Sequence, residues 1–505
     1  MNFLLRGATD DRWFAGILAG ALLIKLALAA AIPLTGDESY FVLYARHVDW
    51  GGFYDHPPMV GWLLWLMERL GSHPLVLRLP AVLTGLLLAL GLYAALRDID
   101  EARARLVALL MLLTPVYLIG VLITSDTGLI LFGVASVLVL QQAVNRNRNG
   151  LFVLAGVLLG LAFLSKYFAV LLGLAYVAWM LAFARHQWPG FALLFLAVLP
   201  FGLWNIAWNI LHCWDHVMFN MINRHQGAGF APGGSIGYVL MLLYLLSLPL
   251  WHLIRQRHTV WQGLREHRRL LLAVTGTLPL LVFGLLSPWR EIGLHWLLLF
   301  VPMVLACCMF LPRPALEQNI RFMGWFAAAH LLVVIGLLWL PTDAWREHPA
   351  RGDIVFHLEP DAVGEVLAAF EGDFYATDSY SRSAILGYYT PHYWRVFGPG
   401  SRHGRQDDRI TDWREHDGER MVFFSRRGEV RHEALAPYFD AVQVHTVEVA
   451  GTRYEVAVAE SFDYAAYRQQ VLTRIAERYY NIPDFLPLCA CSFLARYGGD
   501  NGQNP

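Results

Sequence analysis

Charge is scarce in this sequence of 505 residues, and neither sign of charge prevails. Charged residues make up 16% of the chain, hydrophobic residues make up 56%, and the formal net charge is −1. A balance this close to zero provides no basic field, so we expect no nucleic-acid partner. Such an apolar composition is unusual for a soluble protein and typical of a chain that lies in a lipid bilayer. The sequence therefore predicts a membrane protein.

Nucleotide-binding and metal-binding motifs are also missing. The sequence contains neither a Walker P-loop nor a Rossmann glycine fingerprint, so we expect no nucleotide site. It contains no cluster of metal ligands with adequate spacing, so no cofactor is predicted. A divalent ion held between two acids discussed below, Asp37 and Asp126, stays an open alternative.

Cysteine is rare, with five residues in the chain. Cys213, Cys307 and Cys308 lie in or beside apolar runs, where we interpret them as small buried hydrophobic side chains. Cys489 and Cys491 lie in the C-terminal region and are candidates for a disulfide there. A bond between these two cysteines would be strained, because a single residue separates them.

Long apolar runs are what the sequence has in abundance. A hydrocarbon core about 30 Å thick takes roughly 20 helical residues to cross. We predict about eleven spans, at 13–34, 74–96, 106–123, 127–144, 150–165, 167–184, 189–211, 236–254, 270–287, 294–312 and 322–340.

The arginines indicate how these spans are oriented. With the N-terminus in the cytoplasm, most arginines between spans fall on the inner side, for example Arg97, Arg146 and Arg265, as the positive-inside rule expects. An odd number of spans then places everything after Pro341 outside. The stretch "LALAAAIPL" near the end of the first span also resembles a signal-peptidase site, but Asp37 faces outward on either interpretation.

The chain divides in two at about residue 340. Residues 1–340 form a predicted helical membrane domain, and residues 341–505, where charge rises and apolar runs shorten, form a predicted α/β domain. Strands are predicted at 372–378, 394–399 and 420–427, with a hairpin at 441–461 that turns at Gly451. Helices are predicted at 379–389 and 463–480. The predicted fold class is a mainly α polytopic membrane protein with a small C-terminal α/β extracytoplasmic domain.

Two adjacent acids, Asp37 and Glu38, follow the first span in the stretch "TGDESYFVLYARHV". The stretch has a helical period with aromatic residues on one side, so we predict a helix along the membrane surface. One interpretation is local: an N-cap acid, with Glu38 in the first turn, stabilises the helix. The other is catalytic, because a carboxylate at a membrane boundary suits a general base that removes a proton from an acceptor hydroxyl. The two interpretations are compatible.

Three further polar residues lie at predicted outer boundaries. His56 precedes Pro57-Pro58, a pair that stops a helix and fixes a turn. Asp126, in "LITSDTGLILF", lies between two apolar runs. Either Thr124, Ser125 or Asp126 itself caps the following helix, or the acid has a function. Lys166, in "GLAFLSKYFAV", is one of only two lysines in the chain. It either extends to the lipid headgroups or binds phosphate.

Arginine and histidine occur in two later outer loops. Arg224 lies in the Gly-rich loop "NMINRHQGAGFAPGGS", which is suited to covering a site. Arg290 and His295 lie in the short segment "SPWREIGLHW" before a late span. None of these signals is specific alone.

Together, these residues make the chain resemble the GT-C glycosyltransferases, in particular the group of protein O-mannosyltransferases and lipid A aminoarabinose transferases. The resemblance runs along nearly the whole membrane domain and, more weakly, into "YATDSYSRSAILGYY" in the C-terminal part. Asp37-Glu38 match the acid pair of the first outer loop, and Asp126 matches the later outer acid. Lys166 matches the "LSK" segment. Aminoarabinose transferases have a lysine before the double proline, where this chain has His56.

The resemblance implies an enzyme of the bacterial inner membrane, with a cytoplasmic N-terminus and a periplasmic or extracellular C-terminal domain. Its reaction would be inverting transfer of a sugar from a polyprenyl-phosphate donor to a hydroxyl of a glycolipid such as lipid A, a polymer or a protein. Asp37 would then be the catalytic base, with Glu38 beside it. The predicted substrate-binding residues are Asp126, Lys166, His56, Arg224, Arg290 and His295.

A transporter or flippase for lipid-linked sugars, without transferase activity, is the alternative function. Such a protein needs polar residues deep within its spans. The predicted spans contain few, with Lys25 and Asn205 as modest exceptions, so we favour the transferase.

Overall fold

The computed structural model describes residues 10–225, 229–426, 432–486 and 490–498. The chain forms two compact units. The first unit contains Met1–Ala30, Leu75–Trp204 and Gly227–Leu337, and the second contains Ala31–Pro74, Asn205–Gln226 and Leu338–Pro505. The division at about residue 340 stays a prediction, because it concerns the membrane boundary rather than compactness.

The first unit is built from helices. Their bounds are Asp11–Ala31, Pro74–Leu77, Leu79–Leu96, Glu101–Leu112, Pro115–Leu118, Ser125–Arg146, Asn149–Phe163, Ala169–Phe183, Trp188–Leu211, Gly233–Arg255, Arg257–Glu266, Leu270–Leu286, Leu294–Leu297, Val301–Ala306 and Arg313–Trp339. The Trp188–Leu211 helix belongs to the second unit from Asn205 onward. Most are apolar around their whole circumference, as expected of helices that lie in lipid or in the middle of a bundle.

Six of the described helices are long and apolar enough to cross a membrane, by length and composition. They are Asp11–Ala31, Leu79–Leu96, Ser125–Arg146, Arg185–Leu211, Gly233–Arg255 and Arg313–Trp339. Other predicted spans correspond to shorter apolar helices, such as Asn149–Phe163 and Leu270–Leu286. The prediction of a multi-pass membrane protein is confirmed, and the predicted number of eleven spans is not.

Proline interrupts one span that the apolar pattern predicts as continuous. The run 106–123 forms a helix that ends at Leu112, and a short turn, Pro115–Leu118, follows it. Proline cannot donate to the preceding turn and disfavours helix at the residue before it. The Lys25 ammonium donates to the carbonyl oxygens of Tyr117 at 2.9 Å and Gly120 at 2.7 Å, which helps to satisfy this irregular backbone.

The second unit contains a five-stranded mixed sheet, with strands β1 Phe374–Thr377, β2 Trp394–Val396, β3 Met421–Ser425, β4 Phe439–Val449 and β5 Thr452–Phe462. The strand order is β2-β1-β3-β5-β4. β1 runs parallel to β2 and β3, whereas β5 runs antiparallel to β3 and β4. Gly451, at φ +67°, lies in the β4–β5 turn. The predicted strands and hairpin are confirmed.

Helices of the second unit precede, connect and follow these strands. Their bounds are Gly36–Arg46, Met59–Glu68, Asp215–Val217, Arg351–Leu358, Pro360–Leu367, Tyr380–Tyr389, Asp407–Ile410, His432–Leu435, Tyr464–Tyr467, Thr473–Tyr479 and Ser492–Tyr497. The predicted helix at 379–389 is confirmed. The helix predicted at 463–480 is present with a π-helical turn, Arg468–Leu472, in its middle.

Buried contacts join the segment around His216 to the segment around Phe53 within the second unit. His216 Nε2 lies 2.6 Å from the carbonyl oxygen of Phe53, and its Nδ1 lies 3.2 Å from the amide nitrogens of Asn205 and Asn209. The imidazole is neutral in this setting, donating from Nε2 and accepting at Nδ1. Burial lowers the pKa of His216 to about 3, which agrees with the neutral form.

A disulfide between Cys213 and Cys491 links this segment to the C-terminal part of the same unit. Cys213 is buried, as predicted, but the interpretation as a simple hydrophobic side chain is wrong, because Cys213 is bonded to Cys491, 278 residues later in the sequence. Cys307 and Cys308 are buried free thiols, as predicted. Cys489 lies outside the described residues.

Candidate functional site

The acid pair opens the Gly36–Arg46 helix, as predicted. The N-cap is Thr35 rather than an acid. The Glu38 backbone N–H donates to Thr35 Oγ1 at 3.4 Å, and Glu38 Oε2 accepts from both the backbone N–H and the hydroxyl of Thr35 at 3.1 Å. This reciprocal capping box satisfies N–H groups that the first helical turn leaves unpaired. Glu38 is buried in this role, whereas Asp37 is left outside the cap.

Asp37 is exposed at the second position of the helix. The Tyr380 hydroxyl donates to Asp37 Oδ1 at 3.2 Å. In the described part of the chain, no cationic side chain lies within 4.0 Å of this carboxylate. Burial raises the pKa of Tyr380 above its ordinary value, and the negative charge of Asp37 adds to the shift. Tyr380 is therefore a protonated donor at neutral pH.

His56 belongs to a second acidic arrangement in this unit. Its Nδ1 lies 3.1 Å from Asp55 Oδ1, and the Tyr44 hydroxyl also donates to that carboxylate. Burial acts to raise the pKa of Asp55, but the charge and hydrogen bond of His56 and the Tyr44 hydroxyl outweigh burial, so the pKa is lowered. Asp55 is thus held as a paired carboxylate. Asp55 is not among the predicted site residues.

Arg224 lies in the same unit, half-buried in the short turn Asn223–His225. Its positive charge acts on the His403 imidazole, whose pKa is lowered mainly by burial. Asp55 opposes this shift, and the positive charges of Arg402, Arg224 and His56 add to it. The charges of Arg224 and His56 therefore act on the same imidazole, that of His403.

A further charged cluster in the second unit was not predicted. Arg409 donates to Asp49 Oδ2 at 2.8 Å, lies 3.6 Å from Asp215 Oδ2, and packs 4.7 Å from the centre of the Trp208 ring. Burial raises the pKa of Asp215 to about 7, although Arg409 opposes the shift. These residues come from three distant stretches of sequence, so no local pattern indicates the cluster.

Asp126 and Lys166 meet in the first unit. Lys166 Nζ lies 2.8 Å from both carboxylate oxygens of Asp126, and both side chains are largely buried. Asp126 lies in the first turn of the Ser125–Arg146 helix, whose N-cap is Thr124. The prediction that one of these residues caps the helix is thus confirmed, and the capping residue is Thr124. Lys166 has an anionic partner, so it does not simply extend to the headgroups.

The segment of Arg290 and His295 lies beside the Lys166 segment in the first unit. The Trp296 ring, next to His295, packs 4.7 Å from the ring of Phe168. Lys166 Nζ also lies 5.6 Å from the centre of the Phe168 ring. Arg290 Nη1 is buried and has no hydrogen-bond partner among the described residues. A guanidinium N–H in this state suits an anion.

The predicted site residues therefore fall into two sets. Asp37, Glu38, His56 and Arg224 belong to the second unit, whereas Asp126, Lys166, Arg290 and His295 belong to the first. Within the described residues, no group of three or more His, Cys, Asp or Glu side chains is arranged to hold a metal ion. The divalent ion between Asp37 and Asp126 stays an untested alternative.

Comparisons with known proteins agree with this architecture. Residues 55–205 match a family model described as dolichyl-phosphate-mannose-protein mannosyltransferase. No curated protein sequence matches the chain. Solved structures also share this fold.

Two of the matching structures are those of ArnT from Cupriavidus metallidurans, in the apo state and bound to undecaprenyl phosphate. Each is 16% identical to this chain, covers 89% of it and 98% of the ArnT chain, and has a TM-score of 0.61. A more distant match is the archaeal oligosaccharyltransferase AglB from Archaeoglobus fulgidus, at 12% identity and a TM-score of 0.47, covering 89% of this chain and 74% of AglB. The ArnT fold and the matched family model confirm the predicted resemblance to GT-C glycosyltransferases, and they agree with the prediction of a glycosyltransferase.

Proposed function

We propose that this protein transfers a sugar, with inversion, from a polyprenyl-phosphate donor to an acceptor hydroxyl at the outer face of the bacterial inner membrane. The observation that carries the proposal is the Asp37 carboxylate, exposed and without a cationic partner among the described residues. The undecaprenyl phosphate bound to ArnT and the dolichyl phosphate in the family description support a lipid-phosphate donor.

Asp37 is the acid best suited to act as the general base. A base must reach its proton and must not be neutralised by a neighbouring cation. Asp126 is paired with Lys166, Asp55 is buried against His56, and Glu38 is committed to the helix cap. Asp37 accepts one hydrogen bond, from neutral Tyr380.

The reaction is a single displacement. Asp37 takes the proton of the acceptor hydroxyl as the oxygen forms a bond to the anomeric carbon of the donor. The bond from that carbon to the phosphate oxygen breaks, and the polyprenyl phosphate leaves with the bonding electron pair. The products are an inverted glycoside, a polyprenyl phosphate and a protonated Asp37, which returns its proton to water.

Negative charge collects on the departing phosphate, so cations at that position stabilise the transition state more than the bound donor. Arg290, with its unpartnered Nη1, is the first candidate for this contact. Lys166 has three N–H donors, and Asp126 orients its ammonium at 2.8 Å. We assign Asp126 to holding Lys166 in place, and His295, Arg224 and His56 to further contacts with substrate.

The Cys213–Cys491 disulfide supports an outward-facing second unit. Disulfides persist in oxidising compartments such as the periplasm and are rare in the cytosol. The bond joins two segments of the unit that contains Asp37. This agrees with the orientation that the arginine distribution predicts, with the N-terminus in the cytoplasm.

The transporter alternative depended on Lys25 and Asn205 within the spans. The Lys25 ammonium donates to two backbone carbonyl oxygens, and the Asn205 side chain lies 3.2 Å from His216 Nδ1. Both polar groups therefore have structural partners, which leaves the transporter without a specific observation in its favour.

The test is turnover by the purified full-length protein reconstituted into sealed lipid vesicles, in which transport can be measured as well. Synthetic polyprenyl-phosphate sugars are the donors, and lipopolysaccharide, neutral glycolipids, polymers and peptides are offered as acceptors. We expect release of polyprenyl phosphate together with a product whose anomeric configuration, read by NMR, is opposite to that of the donor. Retention of configuration would overturn the single displacement, and transport of intact donor without bond cleavage would establish the transporter.

A further inference from the structure

A cavity of about 390 Å³ lies within the second unit. Its lining includes Ser39 of the Gly36–Arg46 helix, Ala384 and Tyr388 of the Tyr380–Tyr389 helix, and Trp394 of β2. The volume is within the range of roughly 300–1,000 Å³ that is usual for small-molecule sites. The proposed transfer reaction assigns no role to this cavity.

Aromatic rings form much of the cavity wall, from Tyr40, Tyr380, Tyr388, Tyr393 and Trp394. Several of their polar atoms already have protein partners. Trp394 Nε1 donates to Thr390 Oγ1 at 2.8 Å, and the Tyr393 hydroxyl donates to Asp407. These rings therefore offer mainly their faces to a ligand. An aromatic face carries partial negative charge, so it attracts the polarised C–H groups of a sugar ring.

Ser39 provides a polar group without a protein partner. Its hydroxyl oxygen is buried and has no hydrogen-bond partner among the described residues. A buried hydroxyl in this state is unfavourable unless another group pairs with it. Because Ser39 lines the cavity, a hydroxyl-bearing ligand there would supply the missing hydrogen bond.

The charged side chains around the cavity are satisfied within the protein. Arg46 Nε donates to Glu68 Oε1 at 3.1 Å, and Asp407 Oδ2 accepts from the backbone N–H of Val396 at 3.1 Å. Burial lowers the pKa of His47, and the charge of Arg46 adds to the shift, so this imidazole is neutral at pH 7. Arg46 is paired with Glu68 and His47 is neutral, so neither supplies an unpaired positive charge for a phosphate or carboxylate, which favours a neutral ligand.

Tyr380 joins the cavity to the proposed base. It lines the cavity, and its hydroxyl donates to Asp37 Oδ1 at 3.2 Å. We propose that the cavity binds the acceptor, and that the acceptor is a neutral carbohydrate, whose ring packs on the aromatic wall and pairs with Ser39. This inference rests on the proposed transferase function, since it identifies the substrate class that delivers a hydroxyl to Asp37.

Binding is tested first, on the purified full-length protein by saturation-transfer NMR. Methyl α-glucoside, methyl α-galactoside and methyl α-mannoside are the neutral probes, and glucose 6-phosphate is the anionic probe. Ala384→Leu fills the cavity and Ser39→Ala removes the unpaired hydroxyl. Ser381→Ala, in the same helix as Ala384 but outside the lining, is the matched control.

We expect at least one neutral glycoside to bind the wild-type protein and Ser381→Ala alike, and to bind tenfold or more weakly to both cavity variants. Ser39→Ala keeps the test decisive if the larger leucine at position 384 disturbs folding. Unchanged glycoside binding in Ser39→Ala and a correctly folded Ala384→Leu would overturn the inference. Tighter binding of glucose 6-phosphate than of any neutral glycoside would also overturn it.

Turnover then distinguishes the cavity from the reaction. Asp37→Asn should bind glycosides normally while losing transfer, because the base contributes to chemistry rather than to the cavity. Active transfer with an unchanged acceptor KM in both cavity variants would reject the acceptor site and leave the transferase standing. Glycoside binding in the cavity of a protein that transfers no sugar would reject the transferase alone.

Discussion

Asp37 and Asp126 occupy the same local position in two different helices. Each is the second residue of its helix, after a threonine N-cap, in the sequences Thr-Gly-Asp-Glu and Thr-Ser-Asp-Thr. Each threonine takes part in a capping box. Asp37 is exposed and accepts a hydrogen bond from a tyrosine, whereas Asp126 is held through both oxygens by Lys166.

The difference shows that the capping motif determines where an acid lies in the helix but not whether its carboxylate is free to take a proton. A carboxylate at the second helical position is favoured in both places by the helix dipole and the free N–H groups. What separates the two acids is the side chain that a distant part of the fold brings to each. A tyrosine leaves the carboxylate able to take a proton, and an ammonium neutralises it.

Replacing the exposed acid should have the largest effect. Asp37→Asn keeps the shape of the side chain but removes the base, so we expect kcat to fall by about 10²–10⁴-fold with folding intact. The control is Asp361→Asn, which changes another exposed acid in the first turn of a helix, Pro360–Leu367, and should leave turnover unchanged. Normal turnover by Asp37→Asn would show that Asp37 is not the base and that the two acids do not differ in this way.

The paired acid is tested by a double-mutant cycle with Lys166. Lys166→Met should lower kcat/KM roughly 10²-fold, because it removes a cation from the departing phosphate. Asp126→Asn should lower stability, since it leaves a largely buried ammonium without its carboxylate. The double variant should regain stability but not activity. A stable and fully active double variant would show that the pair is purely structural.

Glu38, which belongs to the capping box of the same helix, provides a second comparison with Asp37. Glu38→Gln can still accept from Thr35, so we expect less than about a tenfold loss of kcat, well short of the effect at Asp37. Glu38→Ala removes half of the capping box and should cost about 1 kcal/mol of stability. Thermal unfolding and turnover, measured on both variants, check the two expectations. A loss in Glu38→Gln equal to that in Asp37→Asn would make Glu38 a catalytic partner.

The buried acid Asp215 should give the smallest effect, and one that depends on pH. Its pKa in the folded protein is raised to about 7, so the folded state holds a proton that the unfolded state releases at lower pH. Stability is therefore lost as pH rises from about 4 to about 7. Asp215→Asn removes this loss, so its melting temperature relative to wild type should increase between pH 5 and pH 8. An unchanged difference would show that Asp215 is already ionised.

Much of the fold follows from local pattern, and most of the missing part depends on distant contacts. Apolar runs predicted where the helices lie, and alternation with a turn at Gly451 predicted the hairpin. The break after Leu112 was missed because hydropathy outweighed Pro115 in the interpretation. The Cys213–Cys491 bond was missed because sequence spacing carries no information about a partner 278 residues away.

The candidate site divides in the same way. The acids and cations were found because a charge at the end of an apolar run is conspicuous in any sequence. The pairing of Asp126 with Lys166 was not predicted, since two separate helices create it. Tyr380 was within a segment that the resemblance singled out, but its hydrogen bond to Asp37 spans 343 positions and has no local signature.

The Cys213–Cys491 bond has a consequence for how the protein is made. At a synthesis rate of about 5–20 residues per second, roughly 14–56 s separate the emergence of the two cysteines. During that interval Cys213 waits as a thiol while many later residues are still being added. The disulfide of the unit that contains Asp37 forms only after Cys491 has been synthesised and has reached an oxidising compartment. A ribosome that stops before that codon therefore releases a chain that retains every proposed catalytic residue but lacks this cross-link.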